Sequence, residues 1–233
     1  MKVQAIIPTA GTGKRFKTDK PKPLIELDGK PIFIHALLAF EQASSIDSVI
    51  LVAQSDYMEE YERIVQQYAL TKVSRIVVGG SSRFESVSNG LQVLDQDTQM
   101  VVIHDGVRPL VSIAIIEEAV KVCMKEKAVI VAVPVKPTIK RADIHERIVR
   151  ETLKREELWE VQTPQVFYAD ILRKAHAQGK GSAATDDAML VERLGVNVKI
   201  VEGSYRNVKI TTQEDLLIAK AFLKEMHSEY KVV

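Results

Sequence analysis

Short runs of apolar residues alternate along the chain with stretches of helical period. VQAIIP (3–8), VILVA (49–53), RIVV (75–78), MVVIH (100–104) and AVIVAVPV (128–135) are apolar almost throughout. Such runs predict central strands of a parallel sheet covered on both faces. Between them lie amphipathic helices. In DYMEEYERIVQQYAL, Tyr57, Tyr61, Ile64, Val65 and Tyr68 share one face, with Asp56 as the expected N-cap. SIAIIEEAVKVCMKE opens on Ser112 as N-cap and carries Ile115, Ile116, Ala119, Val122 and Cys123 on its apolar side. TTQEDLLIAKAFLKEM opens with Thr211 and Glu214 at capping-box spacing. The alternation predicts an α/β fold, a Rossmann-like doubly wound and mainly parallel sheet, in a single domain spanning 1–233. Ligands bind such sheets outside the carboxyl ends of the strands.

One segment breaks the alternation. Residues 134–165 have prolines early, many charges and only brief apolar pairs, with RIVRETL reading as an exposed strand. The segment is too polar to bury and too long for an ordinary loop. It predicts a protruding β-arm that pairs with a second copy, and Trp159 within it predicts packing rather than disorder.

Composition narrows the partners. Hydrophobic residues make up 46% and charged residues 27%, ordinary for a globular protein, and the net charge is +1. No overall field draws this chain to nucleic acid or membrane, so anion binding must come from local clusters. The single cysteine, Cys123, excludes an internal disulfide and reads as a buried structural thiol. MKVQAIIPTAG, broken by Pro8, lacks the features of a secretory signal, and no stretch approaches the ~20 apolar residues of a membrane span. The expectation is a soluble, cytoplasmic protein.

The local cluster stands right after the first strand. IIPTAGTGKRFKTDKPKPL (6–24) places Ala10, Gly11, Thr12 and Gly13 ahead of Lys14, Arg15, Lys20 and Lys22. Small residues there can present successive backbone N–H groups, and Arg15 and Lys22 add charge. Pro21 and Pro23 stiffen the chain around Lys22. The loop is not a Walker loop, because residue 8 is Pro and residue 15 is Arg. Nor is it a dinucleotide fingerprint, because residue 16 is Phe. Phosphate binding remains the reading that suits it. Gly79 and Gly80 open a second flexible loop after a strand, ahead of Arg83.

P-x-A-G-x-G-x-R followed by P-K resembles the nucleotidyltransferases that activate sugar phosphates. GGSSRFESV (79–87), VIHDGVRP (102–109), PTIKR (137–141), TLKREELWEVQTPQVF (152–167), TDDAMLVE (185–192) and EGSYRNVKITTQEDL (202–216) follow in order. Together they resemble the 2-C-methyl-D-erythritol 4-phosphate cytidylyltransferase family over nearly the whole chain. The resemblance implies a nucleotidyltransferase-type fold and transfer of CMP from CTP to methylerythritol 4-phosphate, in the non-mevalonate route to isoprenoid precursors. It also implies Mg2+ or another divalent cation, and a homodimer clasped by the arm.

Carried over residue by residue, the resemblance makes Arg15 and Lys22 transition-state stabilisers, and Arg155 and Lys209 the pair that positions the attacking phosphate. Thr9, Ala10, Gly11, Gly13, Gly80, Ser81, Arg83 and Ser86 would meet the nucleotide. Asp105, Arg108, Thr138, Thr163 and Thr185 would serve the sugar alcohol phosphate. Asp105 is open to two roles, binding substrate hydroxyls or holding the water shell of a cation carried mainly by the CTP phosphates. A phosphate nucleophile is already ionised near neutral pH, so none of the five histidines needs a catalytic role, and His104 reads as packed.

Four deviations from the family's usual pattern stand out. Thr9 stands where Ala is usual, and PKPL replaces P-K-Q-Y/F. HDGVRP replaces the commoner H-D-A-A-R-P, and Pro137 stands where Asp often precedes the threonine. These bear on the substrate more than on the reaction, and leave ribitol 5-phosphate as the rival acceptor. A regulatory module without turnover is the rival of another class, but it would lack one of the four basic residues.

Overall fold

The computed structural model describes residues 1–11, 16, 20–179 and 184–229. The chain runs through β1 (Val3–Pro8), the short hairpin β2 (Glu26–Leu27) and β3 (Lys30–Pro31), and α1 (Ile32–Gln42). It continues with β4 (Ser48–Ala53), α2 (Met58–Gln67), β5 (Val73–Val78), α3 (Arg83–Gln92), β6 (Met100–Ile103), α4 (Ile113–Glu126) and β7 (Ala128–Pro134). A second hairpin, β8 (Lys140–Ala142) and β9 (Val149–Thr152), leads into β10 (Trp159–Tyr168). The chain closes with α5 (Ala169–Gln178), α6 (Asp187–Glu192), β11 (Lys199–Glu202) and α7 (Gln213–Glu229).

Seven strands form the central sheet in the order β11-β7-β10-β6-β1-β4-β5. The pairs β1–β4, β1–β6, β4–β5 and β7–β11 are parallel, and β10 runs antiparallel to both neighbours. The apolar runs are explained by burial on both faces. Ala5 and Ile7 of β1, Leu51 of β4 and Val102 of β6 pack with α1, α2 and α4. Ile6, Ile50, Val52, Val101 and Ile103, which alternate with them, pack with α3, α5 and α6. Truncating such a residue, Leu51→Ala for example, removes buried methyls and costs about 2–5 kcal/mol. RIVV departs from this pattern: β5 is the edge strand, and Arg75 and Val78 are exposed.

Helix ends follow local chemistry. Ser112 caps α4 by accepting a hydrogen bond from the Ile115 N–H at 3.3 Å. Asp56, expected to cap α2, instead lies in a 3-10 turn over Ser55–Tyr57, and α2 begins at Met58. The box that starts α7 is shifted by one residue. Asp215 rather than Glu214 reaches back, accepting from the Thr212 N–H at 2.8 Å and from the Thr211 N–H at 2.8 Å. Cys123 is buried and unpaired, its thiol pushed up to about 12 by that burial. No helix among the described residues is long and apolar enough to cross a membrane.

The segment 134–165 divides in two. Its middle holds the exposed hairpin of β8 and β9, with Ile144, Ile148 and Val149 open to solvent. Its last part is not arm at all, because β10 enters the centre of the sheet, pairing Val161 with Ala132 and Val166 with both Val129 and Val102. Trp159, at the start of β10, is 40% exposed rather than packed away. The arm's root is braced from the main body. The Tyr205 hydroxyl donates to the Pro134 carbonyl at 2.7 Å, and the Lys136 ammonium sits 3.4 Å above the Tyr205 ring.

Candidate active site

The sheet reverses its winding beside β1, with β4 on one side and β6 on the other. A crevice at the carboxyl ends of the strands is expected at such a point, and a cavity of about 450 Å³ occupies it. Thr9, Ala10 and Gly11 follow β1, Gly80 and Ser81 follow β5, and Asp105 follows β6. All six line the cavity together with Lys22, Arg83, Ser86 and Lys209.

Each loop is pinned. The Thr9 hydroxyl donates to the Val52 carbonyl at 2.8 Å, and Gln54 Nε2 donates to the carbonyls of Ala10 at 3.1 Å and Gly11 at 3.0 Å. Gly79 lets the loops close on each other, since a Cβ there would lie 2.2 Å from that of Ala10. The Gly80 N–H donates to Ser86 Oγ at 3.1 Å, and Glu85 accepts from the Ser81 N–H at 2.7 Å. Lys22 begins a 3-10 turn, Lys22–Leu24, entered from Pro21 and anchored by buried Pro23 and Leu24. The prolines on either side thus restrain the backbone that carries this ammonium.

Asp105 is the electrostatic centre. Its side chain is 8% exposed, and it faces Lys209 Nζ at 2.7 Å, Arg83 Nε at 3.1 Å and Arg108 Nε at 3.8 Å. Burial alone would raise its pKa, but the charges of Arg83, Lys209 and Arg108 hold it far below the usual carboxylate range. These cations keep Asp105 ionised despite its burial. Its backbone N–H donates to Thr163 Oγ1 at 3.0 Å, and that oxygen lies 3.0 Å from His104 Nδ1. His104 Nε2 lies 3.1 Å from the Arg108 carbonyl, so it must carry the proton, and Nδ1 accepts from Thr163. Burial pushes the His104 pKa down to about 4, and the ring is neutral, packed and structural.

Lys209 is held by its neighbours as well as by Asp105. Arg108 Nη1 donates to the Asn207 carbonyl at 2.7 Å, and the Ile210 N–H donates to the Val107 carbonyl at 2.9 Å. Arg108, 7% exposed, thus ties the loop after β6 to the segment that carries Lys209 and does not line the cavity. Thr163 likewise acts from behind Asp105.

The expected residues do not all converge. Arg155 and Thr138 are exposed on the arm, outside the cavity of their own chain, and Arg155 Nη1 donates to the Lys136 carbonyl at 2.9 Å. Thr185 is exposed just before Asp186, the N-cap of α6, and does not line the cavity. Arg15 and Gly13 lie outside the described residues. Sequence reasoning missed Asp187, which accepts from Arg83 Nη1 at 2.6 Å, although it stands within the TDDAMLVE block. It also missed Gln162, Gln165 and Asn207, whose buried amides knit β10 to its surroundings.

A single acidic side chain, Asp105, lines the cavity among the described residues, and no group of three metal-ligating side chains occurs among them. Both oxygens of Asp105 already face cations. This lining offers no ready-made metal cage, and a hard cation there would meet Asp105 through water rather than directly.

A sequence profile of the family described as 2-C-methyl-D-erythritol 4-phosphate cytidylyltransferase matches residues 3–225. A protein of that name from Geotalea uraniireducens is 45% identical, over 98% of this chain and 100% of its own. One from Alkaliphilus oremlandii is 46% identical, over 96% of this chain and 95% of its own. Among solved structures, a 4-diphosphocytidyl-2C-methyl-D-erythritol synthase from Anaerococcus prevotii superposes with a TM-score of 0.85 at 33% identity, covering 96% of each chain.

Proposed function

This chain belongs to the 2-C-methyl-D-erythritol 4-phosphate cytidylyltransferase family, and on that premise we propose how its cavity performs the transfer. The enzyme moves CMP from CTP to the phosphate of 2-C-methyl-D-erythritol 4-phosphate, in the synthesis of isoprenoid precursors. A phosphate oxygen of the acceptor attacks the α-phosphorus of CTP. The bond from that phosphorus to the bridging oxygen breaks, and pyrophosphate leaves on the opposite side. The nucleophile is already an anion, so no general base is needed, and positioning with charge stabilisation carries the catalysis.

The observation that carries this reading is the convergence of Lys22, Lys209 and Asp105 on one cavity beside the glycine loops after β1 and β5. The loops Thr9–Gly11 and Gly80–Ser81 suit the nucleotide, with Ser86 and Arg83 behind them. Lys22 lines the cavity and would stabilise charge at the α-phosphorus, the role that the family resemblance also gives Arg15. Lys209, held by Asp105, would receive the acceptor phosphate. A divalent cation, Mg2+ or another as the family resemblance implies, would be held by the CTP phosphates and water near Asp105. When bound, it would neutralise phosphate charge and help pyrophosphate leave.

The site of one chain is incomplete in this reading. Arg155 and Thr138 face solvent on the arm, so the arm of a second copy would deliver them to the acceptor, making the working unit a homodimer. A cytoplasmic location suits a reaction fed by the CTP pool. Pyrophosphate release from CTP, measured with methylerythritol 4-phosphate and in parallel with ribitol 5-phosphate, tests the assignment. Turnover with the first and little with the second is expected, and the reverse preference would overturn it.

A further inference from the structure

We propose that His176 and Asp187 are positioning residues for the transfer, holding Arg83 in the one pose that leaves Asp105 free to aim Lys209. The inference deepens the reading above and rests on the role given there to Lys209.

Arg83, in the first turn of α3, lies between two buried carboxylates. Its Nε donates to Asp105 Oδ1 at 3.1 Å and its Nη1 to Asp187 Oδ2 at 2.6 Å. Asp187 Oδ1 accepts from His176 Nε2 at 2.9 Å. A carboxylate only accepts, so the ring proton is on Nε2, and Nδ1 takes the Ser88 hydroxyl at 2.9 Å. The ring also stacks on Phe84, with centroids 4.8 Å apart and planes 11° from parallel. The side chains of His176 and Asp187 are 5% and 2% exposed. Three elements thus meet around the His176 ring, α5 carrying it, α3 holding it through Phe84 and Ser88, and α6 through Asp187, which passes the hold on to the Arg83 guanidinium.

The chemistry of the fork explains the need. A guanidinium facing one carboxylate prefers to grip it with two parallel N–H groups. If Asp187 were absent, Arg83 could fork onto Asp105 and displace Lys209 from Oδ2. If His176 were absent, Asp187 would have an unfilled acceptor and could draw the fork entirely to itself, taking Arg83 off Asp105. Both changes alter how the charge of Asp105 is shared, and the 2.7 Å contact with Lys209 depends on that sharing. His176 touches no residue of the cavity except through Asp187 and Arg83, so its influence is indirect.

Three variants separate positioning from packing. His176→Gln keeps an N–H where Nε2 stands, His176→Asn keeps a polar group only towards Ser88, and His176→Leu keeps neither. At saturating CTP, kcat/KM for the acceptor phosphate is expected to fall about tenfold in the Leu and Asn variants and to stay within about threefold in Gln. In NMR, the Arg83 Nε–H resonance should keep its wild-type shift in Gln and lose it in Asn. Equal losses in Asn and Gln would overturn the proposal, because a ring needed only for packing on Phe84 is equally missing in both. Should Leu fail to fold, the Asn–Gln comparison alone decides. Lys209→Ala, run alongside, distinguishes the two failures. No loss in that variant would sink the role of Lys209 itself and this inference with it, whereas a loss there with equal Asn and Gln variants would sink only this one.

Discussion

The Cγ2 methyl of Thr9 occupies the place a side chain at Gly106 would need, for a Cβ built on Gly106 lies 2.5 Å from it. The loop after β1 and the loop after β6 are therefore packed against each other as one unit at these two positions. Gly106→Ala alone should therefore cost about 1–3 kcal/mol of stability through overpacking. Thr9→Ala alone should cost about 1 kcal/mol, mainly the buried hydroxyl bond to Val52. The double variant should be more stable than Gly106→Ala alone, with a coupling of about 1 kcal/mol or more in denaturant unfolding. Strict additivity of the two costs would show that the methyl and the glycine are unrelated.

Lys22→Ala should lower kcat by about 10²–10³, the usual scale for one transition-state donor, while the protein stays folded. The restraint from Pro21 and the anchoring of Pro23 belong to the backbone and survive the truncation. Steady-state kinetics reads the outcome, and an unchanged kcat would remove Lys22 from the chemistry.

Arg155→Ala should weaken use of the acceptor phosphate far more than CTP binding, because Arg155 lies on the arm and away from the glycine loops. If a second copy supplies it, mixing inactive Lys22→Ala and Arg155→Ala proteins should restore part of the activity through hybrid dimers with one intact site. Calorimetric titration with CTP and activity of the mixture check the two halves. A mixture no more active than its parts would place Arg155 in its own subunit.

His104 should make the fold sensitive to mild acid. Its pKa falls from 6.5 to about 4 on folding, so below pH 6.5 the unfolded chain takes up a proton that the folded one refuses. Stability then rises with pH between about 4 and 6.5 and is unaffected by this group above that range. The full displacement corresponds to about 3 kcal/mol. Thermal unfolding from pH 7 to 4.5 should show this slope flattened in His104→Asn. An unchanged slope would mean that another group sets it.

The interior strands were readable because burial on both faces makes a run apolar, as in Ala5–Ile7 and Val49–Ala53. The place of Thr9–Gly11 and Lys22 at a cavity was readable because small residues and prolines right after a central strand act locally at the sheet's carboxyl edge. β10 was not readable. Its Gln162, Thr163 and Gln165 are buried to within 4% exposure, yet read as polar surface because their partners, Ser204, Asp105 and Asp186, lie far along the chain. A bulge between Val161 and Gln165 around Pro164 further hides the strand's period. Asp187 and His176 were hidden for the same reason, since nothing local ties them to Arg83, 104 residues before Asp187.

β10 starts beside the root of the projecting hairpin and, past a bulge between Val161 and Gln165, carries Thr163 to Asp105 before joining the middle of the sheet. The base of the projection and the support of Asp105 therefore lie on one strand, and a substitution at that base can reach the cavity without leaving β10.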